Sequence, residues 1–141
     1  MNQPSPIILA SGSVYRKQQL LSLGVNFEVR KPDVDESPKD NEPPAQLATR
    51  LAITKAEKIK ADHSKACVIG SDQVCTFEGQ IYGKPGSLIN AQKQLQTFSG
   101  NRIEFFTAMC VISSAGELRV HTDQTVIKFR TLSGEEIDRY I

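Results

Sequence analysis

Ala66-Cys67-Val68-Ile69-Gly70-Ser71-Asp72-Gln73-Val74-Cys75 is the stretch that sets the architecture of this chain. Residues 66–70 form a short apolar run with β-branched Val68 and Ile69, the composition of a strand buried on both faces. The polar group Ser71-Asp72-Gln73 follows directly, so the strand runs straight into 71–75. Asp72 therefore stands at the C-terminal end of a buried strand, the place where open α/β sheets bind their ligands. A carboxylate there can hold a divalent cation or take a proton from water. The ordinary alternative is a cap or turn carboxylate. Gly70 beside it leaves room for close approach, which favours the functional reading.

Working outward, a long helix is predicted upstream from about Ala45 to Ala61, with Ala48, Leu51, Ala52, Ala56 and Ile59 on one narrow stripe. Lys55 falls on that stripe. Its usual explanation is a packed stem with the amine in water; the sharper one is a lysine aimed at a phosphate. Residues 31–44 read as a loop with four prolines and the acidic group Asp33-Val34-Asp35-Glu36. Val25 to Val29 alternates apolar and polar, as a half-buried strand does.

Ile7-Ile8-Leu9-Ala10 is a second buried strand, opening through Ser11-Gly12-Ser13 into a helix over Val14–Leu23 with Ser13 as N-cap and Gly24 as stop. Backbone N–H groups at such a helix start can hold a phosphate. Arg16 and Lys17 sit in the first turn, where the helix dipole disfavours cations unless an anion is bound. A plain capped helix with solvated basic residues fits the same pattern equally well.

Downstream of Cys75, Glu78-Gly79-Gln80 is a tight turn, and Ile81–Gly86 leads into a helix ending near Ser99-Gly100. Glu104–Ile112 and Leu118–Arg130 are partner strands across a turn at 113–117. Ser133 and Glu136 form a capping box that starts a last helix. Ile137, Tyr140 and Ile141 then need something to pack on, which reads as a chain cut inside its fold. Alternating strands and helices with a long hairpin predict an α/β fold, a mixed twisted sheet flanked by helices, in one domain over residues 1–141.

Composition narrows the function. Charged residues make up 23% of 141 positions, with 17 Lys+Arg against 16 Asp+Glu, so the net charge of +1 supplies no basic face for nucleic acid. No apolar run reaches the ~18 residues of a membrane span, and Met1–Pro6 lacks the basic start and apolar stretch of a signal peptide. Cys67, Cys75 and Cys110 are odd in number, widely spaced and outside any C-x-x-C pair, as in reduced core thiols of a cytoplasmic protein. His63 and His121 stand alone, which argues against a histidine metal site or triad. The common Gly-rich nucleotide loops are absent. What remains is carboxylates at Asp33, Asp35, Glu36 and Asp72 for a hard metal, with Lys55 and the Lys84 of Gly83-Lys84-Pro85-Gly86 for phosphate oxygens. That is the inventory of a metal-dependent phosphoanhydride hydrolase.

Six blocks carry a resemblance: Ile8–Arg16, Pro32–Glu36, Leu51-Ala52 with Lys55-Ala56, Ile69–Val74, Gly83-Lys84-Pro85 and Ser99-Gly100. In order and spacing the chain resembles the Maf family of nucleoside triphosphate pyrophosphatases, whose fold is shared with inosine triphosphate pyrophosphatases. Ser71-Asp72-Gln73-Val74 is similar to the subgroup acting on 7-methyl-GTP, where relatives acting on dTTP and UTP carry Thr at the position of Gln73. Tyr15 stands where that subgroup has a large aromatic residue. The resemblance implies hydrolysis of 7-methyl-GTP to 7-methyl-GMP and pyrophosphate, by metal-assisted attack of water on the α-phosphate. It implies Asp72 as proton acceptor, Glu36 and Asp72 as ligands of Mg²⁺ or Mn²⁺, and Ser13, Arg16, Lys55 and Lys84 as phosphate-binding residues. Tyr15 and Gln73 would select the base, by a cation–π contact of roughly 0.5–2 kcal/mol and by a donor–acceptor amide.

A homodimer is the habit of the family it resembles, whose chain continues past residue 141 with more strands, a helix and further glutamine and acidic site residues; the charge balance and the lack of a long apolar run point to no nucleic-acid and no membrane partner. Three alternatives stay open on sequence. They are a non-catalytic nucleotide-binding or regulatory module linked to cell division, a pyrophosphatase for other non-standard nucleotides, and a structural interaction domain.

Overall fold

The computed structural model describes residues 5–83 and 86–140. Among these lie six strands and four helices: β1 Ile7–Ala10, α1 Val14–Ser22, β2 Glu28–Arg30, α2 Pro44–Lys60, β3 Cys67–Phe77, β4 Gln80–Tyr82, α3 Leu88–Phe98, β5 Arg102–Ile112, β6 Leu118–Lys128 and α4 Gly134–Tyr140. The sheet is mixed, in the order β2-β1-β3-β5-β6, with β4 added to β3. β1 pairs parallel with β2 and β3; β3–β5, β3–β4 and β5–β6 are antiparallel.

Several boundaries differ from the sequence expectation, each for a local reason. β2 occupies 28–30 rather than 25–29, because the short β1 offers it only Ile8–Ala10 as partners. α2 begins one residue earlier, at Pro44, since a proline in the first helical position lacks only an N–H that would have no partner there. β3 is the larger correction. It does not end near Gly70 but continues to Phe77, held along its length by nine paired positions of β5 from Val68 to Thr76. Asp72 is consequently a mid-strand residue. The turn at Glu78-Gly79 closes the β3–β4 hairpin, both residues having positive φ (53° and 77°), the signature of a two-residue hairpin turn.

The main core lies between α2 and the sheet. Leu47, Ala48, Leu51, Ala52 and Ala56 pack on Ile8, Ala10, Val68, Val74, Ala108, Cys110 and Ile112. Alanines at 48, 52 and 56 repeat every fourth residue and keep the contact face of α2 shallow. Gly70 completes the fit: a Cβ there would lie 2.3 Å from the Ala52 carbonyl oxygen and 2.8 Å from the Ala56 Cβ. A second cluster gathers at the far end of β3 and β5. Phe98 of α3 meets Tyr82 edge-on (centroids 5.2 Å apart) and Phe129 at 5.5 Å. Ile103 and Ile137 are buried, while Tyr140 is 82% exposed. The capping box of α4 forms as expected, the Ser133 N–H donating to Glu136 Oε1 and the Glu136 N–H to Ser133 Oγ, both at 3.2 Å.

Gly70→Ala is expected to cost about 3 kcal/mol, because the clash is with helix backbone that cannot step aside. Gly134→Ala, whose added methyl group meets nothing within 4 Å, is expected to stay within about 0.5 kcal/mol of the parent. Urea unfolding of both variants measures the difference; equal midpoints would contradict this account of the α2–β3 contact.

Candidate active site

β3 has two neighbours on one edge and a gap between them. β1 pairs with Cys67–Gly70 and β4 with Cys75–Phe77, so Ser71–Val74 face no strand on that side among the described residues. β1 runs parallel to β3 and reaches Ala10 opposite Gly70, so the segment 11–13 continues toward the gap. β4 runs antiparallel and reaches Tyr82 opposite Cys75, so the chain at Gly83 heads toward the same gap from the other end. Lys84 and Pro85 lie outside the described residues; Gly83 is tied to α3 through its carbonyl, which accepts from Gln94 Nε2 at 2.7 Å.

Alternation along β3 sends Asp72 and Gln73 to opposite faces. Asp72 points to the α2 side, where Lys55 Nζ donates to Asp72 Oδ1 at 3.0 Å and forms an ion pair with Glu36 Oε1 at 2.7 Å. Three residues from a loop, a helix and a strand therefore meet at one ammonium group. The side chains of Lys55 and Asp72 are 15% and 11% exposed, that of Glu36 59%. The same sheet row continues through Ala108 to Thr122, whose hydroxyl meets that of Thr49 on α2. On the other face, Gln73 Nε2 donates to Thr107 Oγ1 at 3.2 Å, a cross-strand pair.

Burial has opposite consequences for the two central groups. It is the largest influence on Asp72 and pushes its carboxyl above the ordinary 3.8, with the Glu36 charge adding to the rise and Lys55 opposing it. For Lys55 burial works against the charge, but its hydrogen bonds to Glu36 and Asp72 outweigh it and hold the ammonium above its ordinary 10.5. The result is a firmly charged lysine beside a carboxylate of increased basicity.

Ser13 and Arg16 make their hydrogen bonds within their own segment. The Arg16 N–H donates to Ser13 Oγ at 3.3 Å, the Ser13 N–H to Ser11 Oγ at 3.0 Å, and Arg16 Nη1 to Gln19 Oε1 at 3.1 Å. Ser13 is thus the helix cap that its position predicted. Tyr15, in the same turn, is 79% exposed. Of the residues singled out on sequence, Glu36 and Asp72 each contact Lys55; Ser13 caps α1, Tyr15 and Arg16 stand in its first turn, and Gln73 lies on the opposite face of β3. Two shallow concavities, about 310 and 430 Å³, lie elsewhere, around His63–Ala66 and along the Gln46–Glu57 side of α2, and neither is lined by the triad.

Arg50 was not among those residues. Its guanidinium donates through Nε to Glu42 Oε2 (2.7 Å) and through Nη2 to Glu42 Oε1 (2.9 Å) and the Ser37 carbonyl (3.1 Å). Glu42 is only 8% exposed. The pairing crosses from loop to helix, and nothing in residue spacing announces it.

The sequence model of the Maf-like protein family matches residues 6–141. This chain belongs to the Maf-like family. It is 44% identical over 138 residues to the 7-methyl-GTP pyrophosphatase of Aromatoleum aromaticum, covering 97% of this chain and 71% of that protein. It is 46% identical over 136 residues to the 7-methyl-GTP pyrophosphatase of Cupriavidus metallidurans, covering 96% and 68%. The Maf-like fold seen here is also similar to that of solved Ham1 proteins. The one from Coxiella burnetii has a TM-score of 0.59 at 14% identity over 89% of this chain and 73% of that one. The one from Staphylococcus aureus has 0.55 at 19%, over 88% and 71%. No helix among the described residues is long and apolar enough to cross a membrane.

Ion pairing of Glu42 sets an acid limit on stability. Its hydrogen bond with Arg50, chiefly, lowers its carboxyl from 4.5 to about 2, and the Arg130 pair does the same for Glu136. A carboxyl depressed by folding stabilises the protein above its unfolded value and stops doing so as pH falls through its folded one. The parent should therefore lose stability steadily from about pH 4.5 to about pH 2, and Glu42→Gln should flatten that loss. Melting temperatures across this range test it, and parallel curves for parent and variant would refute it.

Proposed function

We propose that this chain is a nucleoside triphosphate pyrophosphatase acting on 7-methyl-GTP in the cytoplasmic nucleotide pool, alone or as a homodimer, with residues 1–141 forming one catalytic domain. The observation that carries the reading is the meeting of Glu36 and Asp72 at the Lys55 ammonium, beside the gap in the β3 edge. Lys55 occupies the space between two carboxylates, which makes its ammonium a stand-in for a cation. Two carboxylates are also what Mg²⁺ or Mn²⁺ takes from a protein when phosphates and water complete its shell. Glu36 and Asp72 fit that role, and a cation bound there would neutralise charge on the phosphate oxygens.

The residues divide the work by chemistry. Asp72 accepts a proton from the water that attacks the α-phosphorus, and the α–β bridging bond breaks to give 7-methyl-GMP and pyrophosphate. Its raised pKa makes it a better base than an exposed aspartate. Lys55 exchanges its carboxylate partners for phosphate oxygens as the triphosphate enters. Ser13, Arg16 and Lys84 offset the remaining charge. Tyr15, exposed on the turn after β1, supplies a face for the cationic methylated base. Gln73, whose amide donates to Thr107, keeps its carbonyl for the N–H groups of guanine.

With Mg²⁺ present, purified protein should release pyrophosphate from 7-methyl-GTP faster than from GTP, dTTP or UTP. Asp72→Asn should lower kcat by about 10²- to 10⁴-fold, the usual share of a general base. Gln73→Thr should lower kcat/KM for 7-methyl-GTP relative to UTP by about tenfold while sparing kcat for UTP. Equal turnover by parent and Asp72→Asn would dispose of the reading.

A further inference from the structure

Glu36 is the least constrained member of the triad. Its carboxylate is 59% exposed and Lys55 is its ion-pair partner, an arrangement that on its own holds a loop weakly. The loop is nevertheless pinned a few residues on. Arg50, five positions before Lys55 on α2, grips Glu42 with two parallel N–H donations, and the same Nη2 also reaches the Ser37 carbonyl, the residue next to Glu36. Within the loop, the Ser37 N–H donates to Asp35 Oδ1 (3.0 Å), the Lys39 N–H to Glu42 Oε1 (3.0 Å) and the Glu42 N–H to the Lys39 carbonyl (3.1 Å). Bidentate guanidinium–carboxylate pairs fix orientation as well as distance, which a lysine in the same place would not do.

We propose that Arg50 is the positioning residue for Glu36. By clamping Ser37 and Glu42 to α2, it holds the Glu36 carboxylate at the level of Lys55 and Asp72, and so sets how well that pair of carboxylates takes a divalent cation. The proposal rests on the reading of Glu36 and Asp72 as the cation's ligands. It adds that this pair is aligned by a residue that touches neither carboxylate, through a loop that has no regular secondary structure to stiffen it.

The test uses the full chain and Mn²⁺ alone as probe, with free Mn²⁺ followed by electron paramagnetic resonance, and with hydrogen exchange of the 33–42 amides as a readout independent of turnover. Arg50→Gln, Arg50→Lys and Glu42→Gln should each weaken Mn²⁺ binding by about tenfold, the usual effect of losing a group that orients a ligand. They should also speed exchange in 33–42. In a Glu36→Gln background, which itself binds Mn²⁺ more weakly, adding Arg50→Gln should change the affinity less than twofold. Arg50→Lys and Glu42→Gln keep the test usable if Arg50→Gln folds poorly. If Glu36→Gln weakens Mn²⁺ binding but the clamp variants do not, or if Arg50→Gln has the same effect in both backgrounds, the positioning role falls and the ligand assignment stands. If Glu36→Gln leaves Mn²⁺ binding unchanged, the ligand assignment falls, and the positioning role with it.

Discussion

The approach of α2 to β3 at Gly70 is the contact on which the site is built. With no side chain at 70, the Ala52 carbonyl oxygen and the Ala56 methyl group come within 2.3 and 2.8 Å of where a Cβ would sit. The helix can then settle directly on the strand, and Lys55, between those two alanines in sequence, comes within 3.0 Å of Asp72. A bulkier contact face would lift the ammonium away and leave a largely buried carboxylate without its cation, a costly arrangement in a low-dielectric setting. Packing and electrostatics are therefore one problem here: the small residues that let the core close are also those that seat the charge.

The sheet supplies the second half of the geometry. β3 is shared between a parallel neighbour at its start and an antiparallel hairpin at its end, while β5 runs alongside nearly all of it. The interval left on one edge has the end of β1 on one side and the end of β4 on the other, because the chain directions of β1 and β4 are opposed. This is a local form of the rule that α/β sheets bind ligands where strand connections diverge.

Much of this could be read in the amino-acid order. The apolar runs at 7–10 and 66–70, the alanine stripe of α2, the Glu78-Gly79 turn, the 104–112 and 118–130 hairpin and the Ser133 capping box are local signals, and each has its counterpart in the fold. Lys55 was visible as a cation in the wrong place. What escaped were features set by partners far along the chain. Continuation of β3 past Gly70 depends on β5, forty residues on, overriding the polar Ser71-Asp72-Gln73. Shortening of β2 depends on β1 having only four residues. The Arg50 clamp depends on how a proline-rich loop folds back. That Glu36 and Asp72 share the Lys55 ammonium is likewise a contact between loop, helix and strand, which residue spacing does not encode.

Because adjacent positions of a strand look in opposite directions, β3 assigns two different jobs to two consecutive residues: one meets the lysine under the helix, the other meets Thr107 across the sheet. A shift of this strand by a single position against β5 would exchange them, leaving an amide beneath α2 and an acid on the far side. Fidelity of strand alignment during folding is thus a requirement for the Lys55–Asp72 pairing as much as for stability, and the long β3–β5 ladder is the part of the molecule that enforces it.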